Sequence, residues 1–300
     1  MRMHADQVDV DLATVTALVA GQFPGWRGLP IRPVRSYGTV NALFRVGDQV
    51  VLRFPLQPDP GRRARAELAG EQAHLRQLAP HLPLPVPTPL GLGKPDTAYP
   101  GWWTAYRWIP GESAHPDRLR DAERFADDLA AFVRALHGLD TGGRSWDGRS
   151  RGGPLVEKDE YVQRYLGECA HLTDAPQVAR IWARCRDAPP HQGPDRWLHA
   201  DLMPGNLLVR DGRLAAVIDF GTVGVGDPAV DLVTAWNLLP PAARARYRRA
   251  LAVDDAAWAR GQGWALVQAV GALAYYVDTN PVMAGTARHT LAAILADPAG

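Results

Sequence analysis

Residues 199–206 read HADLMPGN, and residues 219–221, which begin thirteen positions after the end of that stretch, read DFG. An apolar pair at residues 197–198 precedes the first stretch and predicts a short buried strand that leads into it. Pro204 and Gly205 oppose an α-helix through the stretch, because proline lacks a backbone donor and glycine is flexible. The first stretch is therefore predicted to be a polar loop at the end of a buried strand.

The segment between the two stretches predicts a tight β-hairpin. Residues 206–209 and 214–218 are strand-like runs, and the Asp-Gly pair at residues 211–212 between them is typical of a two-residue turn. Such a turn brings the two ends of a hairpin together. We therefore expect Asn206, at the start of the first strand, to lie beside Asp219, which follows the second.

Two carboxylates and an amide at this spacing indicate phosphoryl transfer. One carboxylate, Asp201, would orient a substrate hydroxyl, while Asn206 and Asp219 would hold magnesium on the phosphates of a nucleotide. The reaction needs positioning and charge neutralisation rather than covalent help, and Mg²⁺ accepts oxygen ligands. The pattern therefore favours a kinase-type reaction.

The composition is that of an ordinary globular protein. The chain has 300 residues, 46% of them hydrophobic and 22% charged, which allows a sizeable core in one large or two smaller domains. Its net charge of +1 gives no electrostatic reason to expect nucleic acid or an acidic membrane as a partner. The two cysteines, Cys169 and Cys185, lack metal-binding spacing and are expected to be buried or idle thiols.

Location is predicted from the absence of targeting patterns. The apolar run at residues 12–20 follows acidic rather than basic residues, so it is not typical of a signal peptide. Asp11 instead predicts the cap of a short helix that ends near Pro24. No apolar stretch reaches transmembrane length, and we expect a cytoplasmic protein.

The remaining patterns divide the chain into a β-rich part and a helical part, an α+β organisation. The predicted domains are residues 1–108, with a leading helix, an antiparallel sheet and one further helix, and residues 109–300, which are mainly helical. In the first, the predicted elements are a hairpin of strands 42–46 and 50–54 around Gly47-Asp48, a helix over 62–79 and an aromatic strand over 102–109. In the second, helices are predicted over 118–137, 158–187, 228–239, 241–252, 255–277 and 281–296.

The two-lobe order, the HxDxxxxN loop, the DFG triplet and the segment GVGDPAVDL at residues 224–232 resemble the aminoglycoside phosphotransferase family. The resemblance covers roughly residues 30 to 275 and is densest between 197 and 236. It implies a bilobal, protein-kinase-like fold. It also implies transfer of the γ-phosphate of ATP or GTP, with Mg²⁺, to a small-molecule hydroxyl.

The resemblance also assigns roles to individual residues. It implies that Asp201 is the catalytic carboxylate, that Asn206 and Asp219 bind Mg²⁺, and that Asp231 braces the catalytic loop. It further implies that backbone groups of Arg107 and Ile109 bind adenine and that Gly38 lies in the loop covering the phosphates. His199 is predicted to have a structural role, and His137 is predicted to pack at a helix end.

Two departures from the family pattern concern the loop and the phosphate-binding cation. Ala200 stands where the family commonly has glycine, which adopts a positive φ more readily. The only cation in the strand at residues 50–54 is Arg53, where a kinase has lysine.

The helical period of residues 62–79 predicts a partner for this arginine. Glu71 lies on the apolar stripe of that helix, where a carboxylate is costly unless it is paired. We therefore predict that Arg53 points into the interlobe cleft, contacts nucleotide phosphates and pairs with Glu71. Glu67, one turn earlier, is the rival partner but is expected to be solvated.

The leading acceptor is an antibiotic of the aminoglycoside class, and the chain is expected to be a monomer or a homodimer. A macrolide-type or metabolic small-alcohol kinase and a non-catalytic nucleotide-binding protein remain alternatives. A polycationic acceptor would require carboxylates, and Tyr275, Tyr276 and Trp236 could equally line a more apolar pocket. The candidate carboxylates in the helical part are Glu157, Asp159, Glu160, Asp254, Asp255 and Asp278.

Overall fold

The computed structural model describes residues 7–35, 38 and 40–297. The chain divides into two compact units. The first contains Met1–Pro80 and Pro85–Pro110, and the second contains His81–Leu84 and Gly111–Gly300.

The first unit is built on an antiparallel sheet. In chain order the elements are α1 (Leu12–Gln22), β1 (Ile31–Val34), β2 (Asn41–Val46), β3 (Val50–Pro55), α2 (Arg62–Leu78), β4 (Pro89–Gly93) and β5 (Trp103–Arg107). The strands lie in the order β1-β2-β3-β5-β4, so that β3 is central. The predicted leading helix, β2–β3 hairpin, α2 and aromatic strand are therefore confirmed.

Aromatic side chains form the centre of the first unit's core. Phe54 stacks on Trp103 with ring centroids 4.8 Å apart and meets Tyr99 edge-on at 5.1 Å. All three are fully buried, and the Tyr99 hydroxyl donates to the carbonyl of Pro55 at 2.6 Å. The alternation along β3 buries Leu52 and Phe54 and leaves Arg53 on the other face of the strand.

The second unit is mainly helical and contains short strands. Its elements are β6 (Glu112–Ser113), α3 (Ala122–His137), α4 (Asp159–Glu168), α5 (Ala175–Arg186), β7 (Arg196–Leu198), β8 (Leu207–Arg210), β9 (Arg213–Val217), β10 (Gly224–Gly226), α6 (Thr234–Asn237), α7 (Pro241–Leu251), α8 (Asp255–Tyr276) and α9 (Pro281–Leu295). Strands β6, β8 and β9 form one antiparallel sheet, and β7 pairs with β10.

The predicted hairpin is present as β8 and β9. Arg210 pairs with Arg213 across a two-residue turn in which Asp211 and Gly212 have φ values of 54° and 79°. Two positive φ values are the signature of a type I′ turn, which suits the twist of the strands. The Asp-Gly pair therefore predicted both the turn and its position.

Three helix predictions in the second unit require correction. Helix α3 begins at Ala122 rather than near 118, because Asp121 caps it by accepting from Arg124 N at 2.9 Å. The predicted 158–187 helix is two helices, since Asp174 caps a new one and accepts from Gln177 N at 3.1 Å. The predicted 228–239 helix is a 3₁₀ turn over Pro228–Leu232 followed by the short α6.

Both cysteines are free and buried, as predicted. Burial raises the pKa of both thiols, that of Cys185 to about 11. Within residues 7–35, 38 and 40–297, no helix has the length and apolarity to cross a membrane.

Candidate active site

His199 ties the loop at residues 199–206 to the end of β9. Its ring is fully buried, and its Nε2 lies 3.0 Å from the carbonyl of Ile218, while its Nδ1 accepts from the backbone N–H of Asp201 at 3.3 Å. Since the carbonyl can only accept and the N–H can only donate, the neutral Nε2–H tautomer satisfies both bonds. Phe220 of the DFG triplet packs edge-on against the ring at 4.8 Å. The structural role predicted for His199 is confirmed.

Asp231 braces the same loop from the 3₁₀ turn. Its fully buried carboxylate accepts from His199 N at 3.0 Å and Ala200 N at 2.7 Å. It also lies 3.0 Å from Nε2 of His137, a contact that the sequence did not predict. Ala200 has a φ of 62°, a left-handed conformation that costs a non-glycine residue about 1–2 kcal/mol. The two hydrogen bonds to Asp231 offset that cost, so alanine is accommodated in the loop.

The carboxylate of Asp201 is held from both sides. Its Oδ2 accepts from Nδ2 of Asn206 at 3.1 Å, and the same amide nitrogen donates to the Asp201 carbonyl at 2.9 Å. Its Oδ1 accepts from Nη1 of Arg151, which also donates to the Ala200 carbonyl at 2.9 Å. A quarter of the Asp201 side chain remains exposed, so the carboxylate is oriented but still accessible.

The hairpin brings the two candidate metal ligands into adjacent positions. The backbone N–H of Ile218 donates to the carbonyl of Asn206 at 2.9 Å, which places Asn206 beside the residue that precedes Asp219. Nδ2 of Asn206 donates to Asp201, so Oδ1 is the side-chain atom of Asn206 that would serve as a metal ligand. Asp219 adds a carboxylate from a backbone with a φ of 66°. One carboxylate and one amide oxygen fit Mg²⁺, which usually takes its other ligands from phosphates and water.

The predicted ion pair between Arg53 and Glu71 is present in the first unit. Nη1 of Arg53 lies 2.9 Å from Oε1 of Glu71, with 16% and 6% of the two side chains exposed. The guanidinium also lies over the ring of Tyr106, 5.7 Å from its centroid. Glu67, the rival, pairs instead with Arg63 at 2.8 Å on the solvated side of α2.

The other predicted nucleotide contacts are described in part. Gly38 is exposed, but residues 36, 37 and 39 of its loop lie outside the described residues. The backbone N–H of Arg107 donates to the carbonyl of Thr88 at 2.9 Å, so an adenine contact by this residue would have to use its carbonyl oxygen. Ile109 follows β5 and is half-buried. The roles of these residues stay predictions.

Sequence reasoning missed three groups that shape the loop. They are Arg151, Thr234 and the contact of His137 with Asp231, since His137 itself was predicted only to pack at a helix end, where α3 does end. Oγ1 of Thr234 donates to the carbonyl of Leu202 at 2.8 Å. No local pattern marks them, because their positions follow from tertiary packing. The one available signal for Arg151 was a cation within a loop rich in glycine.

Comparison with known proteins identifies the family. The profile of the phosphotransferase enzyme family matches residues 31–264, more than half of the chain. The chain belongs to this family. The resemblance to aminoglycoside phosphotransferases drawn from the sequence is thereby confirmed.

Curated relatives from two bacteria share part of their length with this family member. The chain is 26% identical over 182 residues to an aminoglycoside 3'-phosphotransferase of Salmonella typhimurium and, to the same extent, to one of Escherichia coli. In each case the similarity covers 58% of this chain. It spans 64% of the length of the relative, somewhat less than two thirds.

Solved structures of phosphotransferases share the fold over nearly the whole chain. A GDP complex of aminoglycoside 2'-phosphotransferase-IIIa matches with a TM-score of 0.71 and 18% identity, covering 96% of this chain and 99% of that one. Macrolide 2'-phosphotransferase MphH from Brachybacterium faecium matches with a TM-score of 0.59 and 23% identity, covering 93% and 98%. The α+β, protein-kinase-like fold class is therefore confirmed.

Proposed function

We propose that this phosphotransferase family member moves the γ-phosphoryl group of ATP or GTP onto a hydroxyl group of a small-molecule antibiotic. The observation that carries the proposal is the Asp201 carboxylate, oriented on one side by Asn206 and on the other by Arg151. The adjacency of Asn206 and Asp219 supports a metal site beside that carboxylate.

In the proposed reaction the acceptor hydroxyl donates its proton to Asp201. A bond forms between the acceptor oxygen and the γ-phosphorus while the bond from that phosphorus to the leaving diphosphate oxygen breaks. Positioning and electrostatics supply the catalysis, so no phospho-enzyme is required. Asn206 and Asp219 would hold Mg²⁺, which neutralises charge on the phosphates when bound.

The nucleotide assignment rests on the first unit and on relatives. Structures of related enzymes contain GDP, ADP or ATP. We propose that Arg53, held in place by its ion pair with Glu71, binds the phosphates. Arginine suits this role because it can form two parallel hydrogen bonds to a phosphate group. Gly38 is proposed to lie over the phosphates, and backbone groups of Arg107 and Ile109 to bind the base. A cytoplasmic location would supply either nucleotide.

An aminoglycoside is the leading acceptor. The curated relatives are aminoglycoside phosphotransferases, and structures of related enzymes contain kanamycin, gentamicin or streptomycin. Three of the candidate carboxylates already have structural partners. Asp159 binds Arg186 and Trp182, Asp254 caps α8, and Asp255 pairs with Arg248. The exposed carboxylates Glu157, Glu160 and Asp278 are the remaining candidates for binding amines.

Exposed tyrosines in the second unit favour a macrolide-type acceptor as the second candidate. Tyr161 is 40% exposed and Tyr275 is 50% exposed, surfaces that suit a less polar ligand. Trp236 does not contribute to such a surface, because it is fully buried and packs on Trp258 with ring centroids 4.6 Å apart. The macrolide phosphotransferase MphH has the same fold, as do the aminoglycoside phosphotransferases.

A product screen tests the proposal. Purified wild-type protein and Asp219→Ala would each be incubated with ATP or GTP, Mg²⁺ and a panel of aminoglycosides, macrolides and small amino alcohols. Mass spectrometry should show one phosphoryl group added to an antibiotic by the wild type and none by the variant. Transfer only to amino alcohols would indicate a metabolic kinase. Nucleotide binding without transfer to any acceptor would indicate a non-catalytic protein, and a variant that keeps more than half of the wild-type rate would refute the metal assignment.

A further inference from the structure

A cation from a distant loop lies on the candidate catalytic carboxylate. Arg151 follows α3 by fourteen residues and is fifty residues from Asp201 in sequence, yet its Nη1 contacts both Oδ1 of Asp201 and the carbonyl of Ala200. On the basis of the proposed function, we propose that Arg151 is a positioning residue that fixes the Asp201 carboxylate for phosphoryl transfer.

The loop that carries Arg151 is shaped by its own side chains. The Asp147 carboxylate accepts from the backbone N–H groups of Arg149 and Ser150 at 2.9 and 2.8 Å and from the Ser150 hydroxyl at 2.8 Å. These bonds, led by that of the Ser150 N–H, hold the pKa of Asp147 below its ordinary value. Nε1 of Trp146 donates to the Ser150 carbonyl at 2.9 Å. The turn before Arg151 is therefore fixed by local hydrogen bonds.

The residues after Arg151 are fixed to the rest of the second unit. The carbonyl of Gly152 accepts from the backbone N–H of Asp227 at 2.8 Å. Gly152 has a φ of 99°, a conformation that favours glycine. A Cβ on Gly226 would lie only 2.7 Å from the Gly152 carbonyl oxygen. Glycine is therefore needed at both positions for the two backbone segments to lie this close together. Asp227 is itself held by a buried ion pair with Arg260, at 2.6 Å. Arg151 is thus anchored on both sides before it reaches Asp201.

The contact gives each oxygen of the carboxylate its own donor. Oδ1 accepts from Arg151 and Oδ2 accepts from Asn206, so rotation of the carboxylate would break at least one charge-assisted hydrogen bond. The guanidinium also keeps a positive charge beside the carboxylate. During transfer the proton moves from the acceptor hydroxyl to this carboxylate, the new O–P bond forms and the bond to the leaving diphosphate breaks. Arg151 acts on these steps by orienting Asp201.

The first test separates positioning from binding. Arg151→Ala should lower kcat on the order of 10²-fold, the cost of a misplaced reacting group, with the KM for the nucleotide nearly unchanged. Arg151→Lys should restore part of the rate, and guanidinium ions added to Arg151→Ala should raise its kcat while leaving the wild type unaffected. Arg149→Ala, in the same loop and exposed, is the matched control and should behave as the wild type.

A second measurement does not require turnover. Crystal structures of the wild type and of Arg151→Gln, which keeps most of the side chain's volume, should show one orientation of the Asp201 carboxylate in the wild type and an altered or mixed orientation in the variant. An unmoved carboxylate in Arg151→Gln would overturn the inference, as would a kcat of Arg151→Ala within about twofold of an active wild type. If the wild type transfers phosphate to no acceptor, it is the proposed function that fails, and the crystal structures still decide the inference.

Discussion

The buried Arg53–Glu71 ion pair and the exposed Arg63–Glu67 ion pair allow a direct comparison. Both join an arginine to a glutamate of α2 at nearly the same distance, 2.9 and 2.8 Å. They differ in exposure, since 16% and 6% of the first pair's side chains are accessible, against 81% and 64% of the second's. We therefore expect the buried pair to contribute more to the free energy of unfolding than the exposed pair.

Glu71→Ala removes one partner of a pair that is largely shielded from water. Breaking a buried pair in this way costs about 3–5 kcal/mol, and because Arg53 keeps some exposure we expect about 3 kcal/mol. The coupling between Arg53→Ala and Glu71→Ala in a double-mutant cycle should be about 1–3 kcal/mol. The cycle on Arg63 and Glu67 should give no coupling beyond error, since both side chains are solvated.

Urea unfolding of the single and double variants of each pair measures both couplings. The same proteins should show a raised nucleotide KM and a lowered kcat for Arg53→Ala, and a milder effect for Glu71→Ala, with the acceptor KM little changed. Equal couplings for the two pairs would show that burial does not determine the coupling energy. A normal nucleotide KM in Arg53→Ala would remove this arginine as the phosphate-binding cation.

Three further predictions concern stability and reactivity. Asp231→Ala leaves two buried backbone N–H groups without their acceptor and should lower the free energy of unfolding by about 2–6 kcal/mol. Asp254→Ala, which removes an exposed helix cap, should lower it by about 1 kcal/mol. Similar losses for the two variants in urea unfolding would contradict the bracing role of Asp231. Tyr99→Phe removes the hydroxyl that donates to the Pro55 carbonyl and should cost about 0.5–1.5 kcal/mol in the same assay. Because burial raises the pKa of both thiols, Cys169 and Cys185 should resist Ellman's reagent near pH 8 in the folded protein and react once it is unfolded; rapid reaction of the native protein would count against their burial.

Short sequence patterns predicted the features that depend on residues close together in the chain, such as the β8–β9 turn and the apolar stripe of α2. The Asp-Gly pair at residues 211–212 marked the turn, and with it the approach of Asn206 to Asp219, because turn chemistry fixes hairpin register. The apolar stripe of α2 identified Glu71 as the carboxylate that needs a partner, and the structure shows Arg53 paired with that carboxylate. A few neighbouring residues predicted the turn and the place of Glu71 on the stripe, whereas Arg53 was chosen as its partner because it stands where a kinase has lysine.

Features that depend on distant contacts were not predictable in this way. Arg151 meets Asp201 across fifty residues, and His137 meets Asp231 across ninety-four. Neither pair leaves a periodic pattern. The break between α4 and α5 did have a local signal in Asp174, which caps α5, but the helical period on both sides concealed it.

Catalysis and nucleotide binding by Asp201→Asn test the proposed role of this carboxylate most directly. The carboxylate is proposed to act on the acceptor hydroxyl and not on the nucleotide. With an acceptor identified by the product screen, kcat should fall by about 10²–10⁴-fold, the usual contribution of a positioned acid–base group. Calorimetric titration should give a nucleotide Kd close to that of the wild type. Normal turnover of the acceptor by Asp201→Asn would contradict the role of Asp201 in phosphoryl transfer.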